Sequence, residues 1–176
     1  MIQITIRNAT VEDAEAIAHL SAQTFRDTFA TDSNATDIDL YLKAAFSIQQ
    51  VEAELASDSS TFLLAYVKDS GSFVGYAKIR VGRKEPCVIA LNPIEIERLY
   101  VDKAAIGQGV GAKLMQACLK KADSQGCDVV WLGVWEHNHR AIGFYKKWNF
   151  SVVGSHVFKL GTDEQNDLIM QRPIKD

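Results

Sequence analysis

Three groups of residues in this chain are spaced for chemistry. The first is a set of glycines at alternate positions, in Ile106-Gly107-Gln108-Gly109-Val110-Gly111-Ala112. They follow an apolar segment and lead at once into an amphipathic one. Side chains are missing where the chain turns into a helix, so the N–H groups that lack a partner inside the helix stay bare at its positive dipole end. That arrangement cradles an anion, most naturally a phosphate or pyrophosphate. The second is Glu97. Apolar residues fall on even positions at Ile94 and Ile96, then on odd positions at Leu99 and Val101. A strand alternates with period two, so the slip predicts one extra residue near Glu97 and Arg98. Such a β-bulge re-aims side chains and frees backbone groups. A strand buried on both faces would show the same residues with no meaning in their phase. The third is Asn138, Ala141 and Tyr145, which lie three and four residues apart and share one helix face.

Two familiar phosphate loops do not fit. A P-loop needs Lys-Ser/Thr after its last glycine, and Ala112-Lys113 follow Gly111 here. A dinucleotide fold needs G-x-G-x-x-G after a first strand. This chain has G-x-G-x-G after a fourth.

The elements that must position these groups are legible from periodicity. Residues 2–7 alternate like a strand, and Thr10 with Asp13 forms a capping box for a helix to about Thr28. A polar stretch, Thr31-Asp32-Ser33-Asn34, breaks it. Thr36 with Asp39 opens a second helical segment, and Ser47 with Gln50 a third that ends near Ser57. Strands at about 61–68 and 73–82 flank the turn Asp69-Ser70-Gly71-Ser72, a hairpin. After the glycines, Val110, Leu114, Cys118 and Ala122 recur every four residues, and Gly126 stops the helix. Residues 127–134 read as a buried strand. Asn138 caps a short helix to Trp148, with Asn149 a left-handed stop, and strands at about 151–160 and 166–172 flank the turn 161–165. The strand–helix–strand crossover over 94–134 demands a parallel pair, whereas the hairpins demand antiparallel ones. The expectation is an α/β (α+β mixed) protein, residues 1–176 forming one domain around a mixed, mostly antiparallel sheet of about seven strands.

Composition narrows the function classes. The 176 residues are 47% hydrophobic and 23% charged, with a formal net charge of -3, ordinary for a globular protein and without the Lys/Arg run of a nucleic-acid binder. No apolar run approaches the ~20 residues of a membrane span. The first residues lack the apolar core of a signal peptide. Cys87, Cys118 and Cys127 are odd in number and show no metal-ligand spacing. A reducing cytoplasm and no metal are expected.

The chain resembles the GNAT superfamily of acetyl-CoA-dependent N-acetyltransferases along essentially its whole length. The matching stretches are Glu97-Arg98-Leu99-Tyr100-Val101, Gly107-Gln108-Gly109-Val110-Gly111, and Asn138-His139-Arg140-Ala141-Ile142-Gly143-Phe144-Tyr145 with Trp148-Asn149-Phe150. Ile106 stands where the superfamily's loop carries Gln or Arg, so one polar helper at the pyrophosphate is absent. Two less specific stretches resemble bacterial PaiA-type polyamine acetyltransferases. One is Thr24-Phe25-Arg26-Asp27-Thr28-Phe29-Ala30 with Asp39-Leu40-Tyr41-Leu42 and Ala45-Phe46-Ser47. The other is Val152-Val153-Gly154-Ser155-His156-Val157-Phe158-Lys159-Leu160-Gly161 with Asp167-Leu168-Ile169-Met170.

The resemblance implies acetyl-CoA as cosubstrate, held along Leu99, Tyr100 and Val101, then Ile106, Gly107, Gln108, Gly109, Val110, Gly111 and Ala112, and finally Asn138, Ala141 and Tyr145. An aliphatic amine has a pKa of ~10 and must lose a proton before it attacks a thioester. Glu97 is the expected base, acting through a water. A backbone N–H near Leu99 or Tyr100 would donate to the developing oxyanion. Tyr145 would protonate the leaving thiolate. Phe29, Tyr41 and His156 are the expected acceptor-site residues, while His19, His137 and His139 read as surface or cap positions. The implied partners are a small amine, with polyamines favoured, and a second copy of the chain, but neither nucleic acid nor membrane. Acetylation of a protein, peptide or amino-acid amine, and a non-catalytic acetyl-CoA-binding module, are the alternatives.

Overall fold

A computed structural model of the protein describes residues 3–29, 34–160 and 163–175. The elements run β1 (Ile4–Asn8), α1 (Ala14–Phe29), α2 (Ala35–Ala45), α3 (Ile48–Leu55), β2 (Ser60–Val67), β3 (Phe73–Arg80), β4 (Pro93–Val101), α4 (Val110–Ser124), β5 (Val129–Trp135), α5 (His139–Lys147), β6 (Ser151–Leu160) and β7 (Asp163–Pro173). Short 3-10 turns lie at Val11–Asp13 and Lys103–Ala105. The capping box holds, with the Thr10 N–H donating to Asp13 Oδ2 at 2.8 Å. One cap differs from expectation. Asn34, not Thr36, starts α2, because its Oδ1 accepts the Thr36 N–H at 2.8 Å. The expected break at 31–34 and the turn at 161–165 lie partly outside the described residues.

All strands join one seven-stranded sheet in the order β1-β2-β3-β4-β5-β7-β6. β4 and β5 run parallel and the other described neighbours antiparallel, so the mixed sheet is as expected. Chain order alone does not reveal that β7 inserts between β5 and β6, which puts its residues beside the centre of the sheet.

The bulge is present. Ile79 pairs with Ile96 and Lys78 with Arg98, leaving Glu97 as the extra residue. It restores the phase, and Ile94, Ile96, Leu99 and Val101 all pack into the core under α4 and α5. The helix face read from sequence joins them there, since Val110, Leu114, Cys118 and Ala122 are each at most 1% exposed. The opposite sheet face packs Phe62, Leu64 and Tyr76 against α1 and α3.

The central parallel pair is short. β4 and β5 are paired from Pro93–Val129 to Glu95–Trp131 and no further. Beyond that point the bulge turns β4 away, and the two strands separate.

Candidate active site

A cleft of about 850 Å³ occupies this gap and runs from the glycine loop to the ends of α1 and α2. At one end the loop behaves as its sequence requires. Gly107 and Gly109 take left-handed φ values of +82° and +85°, and Gly109 is the N-cap of α4. A Cβ added to either would point into open space, so the room beside the backbone is free for a ligand. The first hydrogen bond that closes α4 runs from the Lys113 N–H to the Gly109 carbonyl at 3.1 Å. The N–H groups of the preceding turn therefore face outward at a helix N-terminus, as anion binding needs.

α5 forms one wall. Asn138 caps it by accepting the Ala141 N–H at 3.2 Å, and Ala141 offers only a methyl group to the cleft. Tyr145 is 8% exposed and its ring is braced by Phe144 and Phe150, with centroids 5.5 and 5.9 Å away. Burial pushes its phenol well above the ordinary range, so it keeps its proton at any working pH.

Glu97 reaches the cleft from the bulge, but its carboxylate is not free. Lys78 Nζ lies 2.7 Å from it, Arg80 Nε 3.3 Å and Arg98 Nη2 3.8 Å. Arg98 also clasps Glu54 with both guanidinium nitrogens, at 2.8 and 3.0 Å, and lies over the Phe46 ring at 4.8 Å. With Glu95 on Arg80 at 2.6 Å, three cations and three carboxylates gather against the underside of α3, and Glu95 also reaches the exposed Arg83 at 3.6 Å. Buried pairs of this kind cost little while complete and much when one partner is lost.

The set makes an expectation about acid stability. Burial alone would raise Glu54, but the bidentate Arg98 overrides it and holds the carboxyl below its usual value. A carboxyl lowered on folding adds stability above its unfolded pKa and loses it as pH falls through the folded value. Chemical denaturation should therefore show stability falling below about pH 4.5. Glu54→Gln should remove part of that slope while lowering stability at neutral pH. A wild-type slope in the Gln variant would show that the acid loss arises elsewhere.

The other end of the cleft is aromatic. Phe29 meets Trp135 at 5.4 Å, Tyr41 meets Phe158 at 5.6 Å, and Phe25 stacks on Tyr41 at 4.7 Å. Asp167 of β7 adds a carboxylate there, beside Arg98 and Glu97 of β4, which also act on the Tyr41 phenol. Asp167 pairs with Trp135 on one side and His156 on the other, so all three side chains share the cleft face of the sheet.

Of the residues expected along the cosubstrate, all but Gln108 and Val110 line the cleft. Gln108 turns its amide back to the Ala104 carbonyl at 2.8 Å. Val110 points into the core at 1% exposure, so only its backbone can serve the loop. Phe29 and Tyr41 line the aromatic end of the cleft, and His156 stands behind Asp167. Sequence reasoning missed Trp135, Phe158 and Asp167, and it treated His137 and His139 as ordinary positions although both line the cleft. Strand alternation could have put 156, 158 and 167 on one face, but the β5-β7-β6 order was needed to aim that face at the gap. Among the described residues no cluster could hold a metal ion, and no helix is long and apolar enough to cross a membrane.

Comparison with known proteins places this geometry. The acetyltransferase (GNAT) family profile matches residues 14–150. An uncharacterized N-acetyltransferase encoded in the pepI 3' region of Lactobacillus delbrueckii subsp. lactis is 30% identical over 174 residues, covering 99% of both chains. An uncharacterized N-acetyltransferase of Mycobacterium tuberculosis is 31% identical over 166 residues, 92% of this chain and 98% of its own. Among solved structures, the PaiA N-acetyltransferase of Thermoplasma acidophilum in complex with coenzyme A superposes with a TM-score of 0.77 at 20% identity, over 98% of this chain and 99% of that one.

Proposed function

The chain belongs to the acetyltransferase (GNAT) family and is an N-acetyltransferase, and from that premise we propose that it moves an acetyl group from acetyl-CoA to a primary amine of a small cationic acceptor, a polyamine. One observation carries the reading: a single cleft joins a bare helix N-terminus to an aromatic, carboxylate-bearing chamber through the gap between β4 and β5, with Tyr145 on its wall.

Acetyl-CoA, when bound, supplies an acetyl group activated as a thioester. The residues present fit it. Gly107, Gly109 and the first N–H groups of α4 take the pyrophosphate, and Ala141 leaves room for the pantetheine arm beside Asn138. A backbone N–H past the bulge, at Leu99 or Tyr100, meets the carbonyl oxygen as charge develops on it. Tyr145 keeps a phenolic proton for the departing sulfur. The burial that raises the phenol also acts on a thiolate in the same pocket, so the two stay within range of each other. The amine's own proton must go to a carboxylate of the cleft, and Glu97, which its position at the bulge suggests from sequence, already faces Lys78, Arg80 and Arg98.

Support for a cationic acceptor comes from the chamber itself. Trp135, Tyr41, Phe29 and Phe158 offer ring faces, which attract ammonium groups, and Asp167 offers negative charge. Sequence resemblance to PaiA-type enzymes over both chamber-forming stretches points the same way. The test is a panel of spermidine, spermine, simple diamines, amino acids and peptides, read by coenzyme A release. Polyamines should turn over fastest. Robust acetylation of peptides with none of any di- or polyamine would overturn the assignment.

A further inference from the structure

We propose that Asp167, backed by His156 and Glu85, is the group that takes the acceptor amine's proton and passes it out of the cleft. The inference rests on the acetyltransferase reading above and moves the base role from Glu97 to the far wall of the chamber. Glu97 already answers three cations, and a proton added to it would leave those cations facing only two carboxylates. Asp167 has no such debt. Its ion-pair partner is an imidazole, with His156 Nε2 3.7 Å from Oδ2. The other ring nitrogen, Nδ1, lies 3.2 Å from Glu85 Oε1, and Glu85 in turn meets the exposed Arg83 at 3.0 Å.

This carboxylate–imidazole–carboxylate line leads from the cleft to the surface loop between β3 and β4, and the fold takes care to build it. Asp128 accepts the Leu91 and Asn92 N–H groups at 2.8 and 3.0 Å, tying down the end of that loop. Gly154 lets Cys87 settle on β6, because a Cβ there would stand 2.7 Å from the Cys87 sulfur. Seating Cys87 brings Glu85, two residues earlier, against His156. At Gly133 the missing side chain leaves space beside Asp167, whose Oδ2 would lie 3.7 Å from a Cβ.

Burial raises the Asp167 carboxyl to about 6; Glu136 pushes in the same direction, while His156 holds it down. The groups that face it are thus His156 on β6, Glu136 after β5 and Tyr41 on α2, with Glu85 and Arg83 beyond the imidazole. A carboxylate with this value is ionised at neutral pH yet more basic than an ordinary one, as a general base should be.

The proton balance closes. The acceptor enters as an ammonium and gives one proton to Asp167, freeing the nitrogen lone pair. The N–C bond forms as the C–S bond breaks, and the sulfur takes the Tyr145 proton. The nitrogen's second proton restores Tyr145. Asp167 passes its proton to His156 Nε2, 3.7 Å away and therefore by way of a bridging water, and Nδ1 releases one toward Glu85 and solvent, so one proton leaves per turnover. Asp167 is the catalytic residue, and His156 and Glu85 position it and drain it.

Two measurements test this. In the free protein carrying 13C-labelled aspartate carboxyls, the resonance lost in Asp167→Asn should titrate with a midpoint near pH 6. In His156→Gln that midpoint should move upward, since an imidazole that favours the charged form is gone. In kinetics, kcat/KM for the amine should fall on the acid side of the same midpoint. Asp167→Asn should lose that limb and roughly 10²-fold or more in rate, Asp167→Glu should recover part of both, and His156→Gln should carry the limb to higher pH. Folding is not at stake, because a carboxyl raised on folding costs stability once ionised, and the Asn variant should melt no lower than wild type at pH 7. An Asp167 resonance titrating in the ordinary range and indifferent to His156 would overturn the proposal. So would an Asn variant that keeps the acid limb while Glu97→Gln abolishes it. Wild-type protein that releases no coenzyme A with any amine would sink the acetyltransferase reading instead, and the carboxyl titration would still decide the relay.

Discussion

Tyr145→Phe should lower kcat by roughly 10²–10⁴, the usual worth of one positioned proton donor, while KM for acetyl-CoA moves little. The substitution deletes one hydroxyl and keeps the ring, whose contacts with Phe144 and Phe150 hold α5 against the core. Loss confined to kcat is the mark of an interaction made only in the transition state. The environment fits an acid rather than a base. Burial raises the phenol, so the protonated form persists through neutral pH, and the wild-type rate should show no alkaline limb from this residue below the ordinary tyrosine range. Single-turnover rates, measured where chemistry limits, decide the matter. A Phe variant near the wild-type rate would make Tyr145 a packing residue and leave water to protonate the thiolate.

Gly109→Leu should abolish acetyl-CoA binding in a calorimetric titration, a loss of at least ~100-fold, if the bare helix terminus is where most of the pyrophosphate's hydrogen bonds are made. Two effects act together. Residue 109 has φ +85°, which costs an L-residue about 1–2 kcal/mol, and its new side chain would fill the space beside the loop. Gly82→Leu separates them. Gly82 has the same φ of +85° and open space at its Cβ, but it lies outside the cleft, so that variant should share the fall in melting temperature and keep the affinity. Unchanged Kd in Gly109→Leu would put the pyrophosphate elsewhere.

Local rules determined much of this protein. The glycine spacing in 107–111 requires a left-handed entry into α4, and the structure has it, because only glycine accepts that backbone cheaply. The four-residue spacing of Val110, Leu114, Cys118 and Ala122 puts one helix face in the core. The phase slip at 96–99 locates the bulge at Glu97, since two hydrophobic registers can share one face only if a residue is inserted between them. Asn138 as a cap and Asn149 at φ +63° follow from side-chain chemistry within a few residues of each.

What lies across the sheet was not legible. Glu97 has a carboxylate and a place at the bulge in any reading of the sequence, yet Lys78 and Arg80 from β3 and, through Arg98, Glu54 from α3 decide whether that carboxylate is free. Those partners lie 17 to 43 positions away along the chain, beyond the reach of periodicity. Asp167 is the plainer case. As sequence it is one polar residue in an alternating strand. Only the insertion of β7 between β5 and β6 sets it beside the gap where β4 and β5 part, partly shields it from water, and brings His156 and Glu85 up behind it. A residue's chemical type is written locally, but its ionisation and its partners depend on desolvation and distance, and those exist only once the sheet has closed.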